Sequence, residues 1–208
     1  MKIIKMKNII LFIGTTLLML IAISANSQDT KAKAILDKLS AKAKTFSSIQ
    51  ASFEYKMTNK ADGIDESQKG TLKTQGEKYQ FNIAGQIIIS DGKTVWTIIE
   101  DAEEVQINEV PEDENSDEYI NPVNVLTLWE KGFKYKYDSK LERNSVLLDV
   151  INLYPEKADE KSFHTVKLFI DQNKMEVIEI LLKGKDGTDF TYIINSFTHN
   201  KTLSPADF

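Results

Sequence analysis

Between residues 29 and 46 apolar side chains recur every three or four positions. Ala32, Ile35, Leu36, Leu39 and Ala43 alternate in this way with Lys33, Asp37, Lys38, Lys42 and Lys44. That spacing predicts a helix with one narrow apolar stripe, capped at its start by Asp29 or Thr30. From Ile49 the period drops to two. Ile49, Ala51, Phe53, Tyr55 and Met57 alternate with Gln50, Ser52, Glu54 and Lys56, the signature of a strand with one buried face. Asn59 to Ser67 reads as a polar turn, Gly70 to Gln75 as a short polar strand, and Lys78 to Ala84 as a strand with Tyr79, Phe81 and Ile83 on one face.

Gln86 to Glu100 holds two β-branched runs around Asp91-Gly92, a strong hairpin signal. A two-residue loop at Asp91-Gly92 pairs Ile89 with Thr94, Ile88 with Val95 and Ile87 with Trp96. One face then carries Ile87, Ile89, Thr94, Trp96 and Ile98, and the other Ile88, Val95 and Ile99 with Lys93 and Thr97. Both faces are largely apolar, so protein or ligand is expected to cover each of them.

The alternation continues through Val105 and Ile107, then through Phe133, Tyr135 and Tyr137, Ser145 to Tyr154, Phe163 to Asp171, Met175 to Lys183 and Thr188 to Phe197. One helix interrupts it. Asn121 is a good N-cap, Pro122 suits the first helical position, Gly132 stops the element, and Val125, Leu126, Leu128 and Trp129 form its apolar face. The pattern therefore amounts to about eleven short strands in an antiparallel meander, with two helices. A meander of this size must curl, close or split into layers. No repeat or low-complexity linker divides it, so one domain is expected.

The first residues follow neither pattern. Lys2, Lys5 and Lys7 precede an apolar run from Ile9 to Ile23, and Ala25-Asn26-Ser27 is a small-x-small cleavage site. These are the parts of a signal peptide, residues 1–27, and the run is shorter than the roughly 20 residues that span a bilayer. The expected mature chain is residues 28–208, soluble in the periplasm or outside the cell. With no cysteine, it must be held by its core alone. Its 23 basic and 31 acidic side chains leave a net charge of −8, which argues against nucleic acid and anionic lipid surfaces as partners.

Catalytic groups are not assembled in any recognisable order. His164 and His199 stand far apart in sequence without matched ligand spacing, so no metal site is expected. Ser90 beside Asp91 belongs to a hairpin turn, which requires those residue types. The run Pro111 to Tyr119 carries five carboxylates but lacks the spacing of a calcium loop, and reads as a solvated loop. What remains is aromatic and apolar. Phe53, Tyr55, Tyr79, Phe81, Trp96, Trp129, Phe133 and Tyr135 exceed what one narrow helix and one short helix need to cover. A curled sheet with an apolar face and a mobile helix over it is a device for holding an apolar ligand.

The order of these pieces resembles the outer-membrane lipoprotein carrier (LolA-like) family. The resemblance is carried by Ser48-Ile49-Gln50-Ala51-Ser52-Phe53 after the first helix, by Gly70-Thr71-Leu72-Lys73, and most strongly by Ser90-Asp91-Gly92-Lys93-Thr94-Val95-Trp96. Asn121-Pro122, Leu153-Tyr154-Pro155 and the Thr191-Tyr192 to Asn195 strand continue it. It implies a mainly β fold, an open, unclosed antiparallel barrel of about eleven strands, with a helical lid over an apolar cavity. It implies a periplasmic carrier rather than an enzyme, a monomer without cofactor, which takes acylated lipoproteins from an inner-membrane release transporter to an outer-membrane acceptor. The expected cavity residues are Phe53, Tyr55, Tyr79, Phe81, Ile87, Ile89, Trp96, Leu126, Trp129, Phe133 and Tyr135, with the Trp96 face of the hairpin turned inward. One departure stands out. Where the family often places a gating arginine before a proline and aromatic, this chain has Thr74-Gln75-Gly76-Glu77-Lys78-Tyr79. Gln75 or Lys78 could substitute there; Arg143, the one arginine, falls in an expected turn. Family members usually continue through a further strand-like tail beyond the point matching Phe208.

Overall fold

A computed structural model of the chain describes residues 29–110, 125–204 and 207–208. Helix α1 spans Thr30–Ala43. The strands are β1 (Ser48–Asn59), β2 (Ile64–Gln75), β3 (Lys78–Ile83), β4 (Gln86–Ser90), β5 (Thr94–Ile99) and β6 (Glu104–Glu109). They resume with β7 (Phe133–Arg143), β8 (Val146–Pro155), β9 (Phe163–Asp171), β10 (Glu176–Gly184) and β11 (Asp189–His199). All eleven form a single antiparallel sheet in the order β6-β5-β4-β3-β2-β1-β11-β10-β9-β8-β7. Two meanders thus join where β11 pairs with β1. The sheet is unclosed, with β6 and β7 as its two edges.

Local chemistry accounts for the elements. Asp29 caps α1, its Oδ1 accepting from the Lys31 and Ala32 N–H groups at 3.0 and 3.1 Å. Ala84 and Gly85 join β3 to β4 with φ of +55° and +72°, the paired positive values of a tight hairpin loop. Asn59 Oδ1 accepts from Ala61 and Asp62 N–H and turns β1 into β2. As a result β2 begins at Ile64, not at Gly70. The polar stretch from Asp65 to Lys69 is exposed, so it shows no apolar alternation although it pairs fully with β1.

The hairpin at residues 86–100 turns one residue later than its sequence implies. Asp91 N–H donates to Thr94 O at 3.3 Å, so Gly92 and Lys93 form the loop. The Asp91 carboxylate drives the shift by accepting from Lys93 and Thr94 N–H at 2.9 and 2.8 Å. Gly92 has φ +94°, and a Cβ there would stand 2.6 Å from Glu77 Cβ. The partners become Ile89–Trp96, Ile88–Thr97 and Ile87–Ile98. A loop moved by one residue moves every partner by two, so the composition of the two faces is as the sequence implied.

Strand register carries each face across the sheet. Ile49, Ala51, Phe53 and Tyr55 share a face with Leu72, Thr74, Tyr79, Phe81 and Ile88 on one side, and with Tyr192, Ile180, Leu168, Ile151 and Tyr137 on the other. This is the helix-bearing face. Over its β7–β10 half lie α1 and a 3-10 helix, Val125–Glu130. There Ala32, Leu36, Leu39 and Trp129 close on Phe133, Ile151, Leu153, Val166, Leu168, Ile170 and Val177, the main core. The expected helix caps Asn121 and Pro122, and the acidic run from Pro111 to Tyr119, lie outside the described residues. Arg143 ends β7 rather than sitting in a turn. It donates to Glu179 and its guanidinium lies 5.0 Å from the Phe169 ring centre, on the face opposite the helix.

Candidate apolar binding site

Among the described residues, the helices cover only half of their face. On the other half, β11, β1, β2, β3 and β4 present an apolar surface. Phe53, Leu72 and Tyr79 form its buried floor, and Ala51, Tyr55, Phe81, Ile83, Ile88, Tyr192 and Ile194 are half-buried around them. The aromatic members touch in sequence. Phe190 and Tyr55 have ring centres 6.2 Å apart, Tyr55 and Tyr192 5.2 Å, Tyr192 and Phe53 6.0 Å, and Phe53 and Phe81 5.6 Å. These separations suit tilted and offset ring pairs. Gly70 makes the last contact possible, because a Cβ on it would stand 2.2 Å from Phe53 Cζ.

The two tyrosine hydroxyls of the surface are held in their neutral form. Burial, with the nearby Tyr55 as a smaller cause, pushes the Tyr192 hydroxyl up to about 12. Burial, then the Glu66 carboxylate, raises Tyr55 as well. Neither carries charge at neutral pH, which keeps the cost of covering the surface with hydrocarbon low. An open hollow of about 690 Å³ lies on the opposite face of the sheet, beside the bulge that leaves Asn195 of β11 unpaired between Ser196–Ser52 and Ile194–Phe53. Glu54, Lys69, Asn82 and Asn195 line that hollow beside Phe53, so it is suited to polar contacts.

The covering helices are held at several points. Asp29 Oδ2 accepts from Tyr137 N–H at 2.8 Å, and Lys31 Nζ lies 3.4 Å from the Tyr137 ring centre. Ser40 Oγ accepts from Trp129 Nε1 at 2.9 Å, joining α1 to the 3-10 helix in a buried contact. Lys44 pairs with Glu130 at 2.6 Å, and Lys42 pairs with Glu176 of β10 at 2.8 Å. The Lys44 ammonium, followed by the Ser40 hydroxyl, holds the Glu130 carboxyl below its ordinary range.

The structure separates the expected cavity residues into three places. Phe53, Tyr55, Tyr79 and Phe81 come together in the uncovered apolar surface. Trp129, Phe133 and Tyr135 lie under α1 in the packed core, and Leu126 is half-buried on the 3-10 helix. Ile87, Ile89 and Trp96 point to the opposite face of the sheet. Ile87 stands across from Asn82, and Ile89 across from Gln80, whereas Phe81 stands across from Ile88. The expectation that the Trp96 face turns inward beside Phe53 and Phe81 is therefore corrected by register: the other face of the hairpin does so. Ile83, Ile88 and Ile194 join the surface in their place. The Ala84-Gly85 loop was the signal for this, since a two-residue turn there sets Phe81 opposite Ile88.

Comparison with known proteins agrees with this architecture. The family model described as outer membrane lipoprotein carrier protein LolA matches residues 44–208. No curated protein sequence matches the chain. Among solved structures, an uncharacterized conserved protein from Thermus thermophilus is 11% identical with a TM-score of 0.55, over 85% of this chain and 91% of that one. A LolA superfamily protein from Nitrosomonas europaea is 11% identical with a TM-score of 0.43, over 83% and 94%. The Mycobacterium tuberculosis lipoprotein LppX is 11% identical with a TM-score of 0.48, over 83% and 98%. At 11% identity the likeness to the Thermus thermophilus protein speaks to fold alone, and the match to the family model decides membership: this chain belongs to the LolA family.

Proposed function

We propose that the protein is a periplasmic carrier that binds lipoprotein acyl chains on the uncovered apolar surface and passes them from the inner towards the outer membrane. The observation that carries this reading is the run of aromatic and aliphatic side chains from Phe190 through Tyr55, Tyr192 and the buried Phe53 to Phe81, Ile83 and Ile88, beside a helical cover. Each methylene moved from water into such a surface is stabilised by about 0.8 kcal/mol, so an acyl chain cannot cross an aqueous compartment exposed. The role proposed is binding and transfer. In this reading residues 1–27 are the removed leader and residues 28–208 the single carrier domain. The donor is an inner-membrane release transporter and the acceptor an outer-membrane protein. Release requires a state with lower affinity for the chains, reached when the cover moves or a partner docks.

The test is extraction of a triacylated lipoprotein from inner-membrane vesicles by the purified protein. Extraction is expected, and Tyr55→Glu or Phe81→Glu should abolish it while leaving the far-UV circular dichroism unchanged, since both side chains are only half-buried. Uptake of free fatty acid without lipoprotein would assign the surface to another apolar ligand.

A further inference from the structure

The face opposite the helices carries a second apolar surface, and it runs off the edge of the sheet. Two rows of side chains cross β4, β5 and β6 in direct register: Ile87, Ile98 and Val105, and Ile89, Trp96 and Ile107. Each row starts beside a polar residue, Asn82 or Gln80 on β3. At the other end, among the described residues, they run out to the edge of β6. Val105 is 55% exposed and Ile107 65% exposed. Among the described residues no strand pairs with the outer edge of β6.

The backbone of that edge is open in a defined phase. Val110 N–H donates to Lys93 O at 2.8 Å. In an antiparallel ladder this assigns the inward bonds to Glu104, Gln106 and Asn108, which face β5. Val105, Ile107 and Glu109 then turn their N–H and C=O groups outward, on the residues whose side chains end the apolar rows. Natural edges are commonly blunted by lysine, proline or a bulge. β6, with the sequence EVQINE, has none of these.

Charge selects the occupant. Glu100, Asp101, Glu103, Glu104 and Glu109 surround the strand, and the sequence has no Lys, Arg or His from Thr94 to Glu130. Lys93 at one end is the nearest basic residue in the chain. A second copy of this chain would bring two such acidic edges together, which opposes self-pairing. An incoming strand with apolar residues at alternate positions would extend both rows, and basic residues at its ends would meet the flanking carboxylates.

We infer that the free edge of β6 is a docking site for an extended, lysine- or arginine-flanked segment of a partner protein, added as a twelfth strand. The site lies on the other face from the proposed acyl surface and stands or falls independently of it.

The test uses the peptide Lys-Lys-Val-Thr-Val-Thr-Val-Thr-Val-Lys-Lys, its glutamate-flanked counterpart, and amide hydrogen exchange resolved by residue. The lysine-flanked peptide should bind and slow exchange at Val105, Ile107 and Glu109, while Gln106 and Asn108, already bonded to β5, change little. Binding should weaken with ionic strength. Ile107→Pro removes an outward N–H without breaking a bond to β5, so the fold should survive and binding should be lost. Ile107→Ser keeps the backbone and should weaken binding about tenfold. Three results would each overturn the inference: no binding, equal binding of both peptides, or protection that skips the three outward amides. A peptide-free dimer lost in Ile107→Pro would assign the edge to a second copy and overturn it too.

Discussion

At the scale of single residues, Gly70 and Tyr192 have opposite kinds of importance. Gly70 is there for the space it leaves. Its missing Cβ is the floor on which the Phe53 ring lies, with Asn82 O also within 2.9 Å of the Cβ position. Gly70→Ala should therefore push Phe53 off its contact with Phe81 and cost about 1–3 kcal/mol, read as a lower midpoint in urea unfolding. Phe53→Leu in the same chain should recover part of that loss, since the clashing ring atoms are gone. Tyr192 acts through its ionisation. Its folded value of about 12 lies above an unfolded value of about 10. The native state then holds a proton that the unfolded state releases. Stability from this residue is intact below pH 10 and falls as pH rises from 10 to 12, by on the order of 2 kcal/mol. Tyr192→Phe should flatten that alkaline limb, and absorbance titration of the tyrosines should lose its latest component. The sequence marked Tyr192 as one of a period-2 set with Phe190 and Ile194; its depth in the aromatic run came only from its neighbours on β1.

At the scale of elements, α1 and the 3-10 helix behave as one cover because Ser40 and Trp129 join them. Ser40→Ala would leave the buried Trp129 N–H without its acceptor, which costs about 1–3 kcal/mol. In a Trp96→Phe background that variant should show redder, more quenchable Trp129 emission than its parent. Addition of an acyl ligand to the parent should move the emission the same way if the cover shifts on binding. Unchanged emission in both cases would mean the cover stays closed. α1 was legible from its apolar spacing and its Asp29 cap, down to the stripe residues Ala32, Leu36 and Leu39 that are buried. The start of β2 was not, because Asp65 to Lys69 is exposed and leaves no hydrophobic trace of its pairing. The hairpin turn was placed one residue early, because an aspartate can either occupy a loop or cap it from just outside, and here it does the second.

At the scale of the whole molecule, the lack of pairing between β6 and β7 among the described residues shapes everything proposed. It leaves the sheet unclosed, confines the helices to the β7–β10 half of one face, and leaves β6 with a bare edge. The sequence by itself determined the strand count, the antiparallel order within each meander, the helix and its buried stripe, and the two-face composition of most strands, the first half of β2 apart. These are local matters: period, turn chemistry and capping act over a few residues. Which of two apolar faces receives the helices was decided by tertiary structure alone. Both faces of the hairpin at residues 86–100 are rich in isoleucine, so transfer energy hardly distinguishes them. The choice comes from register summed over the sheet, which ties Ile88 to Phe81, Phe81 to Leu72, Leu72 to Ala51, and so to the face that α1 covers further along. Trp96 is carried to the other side by the same arithmetic.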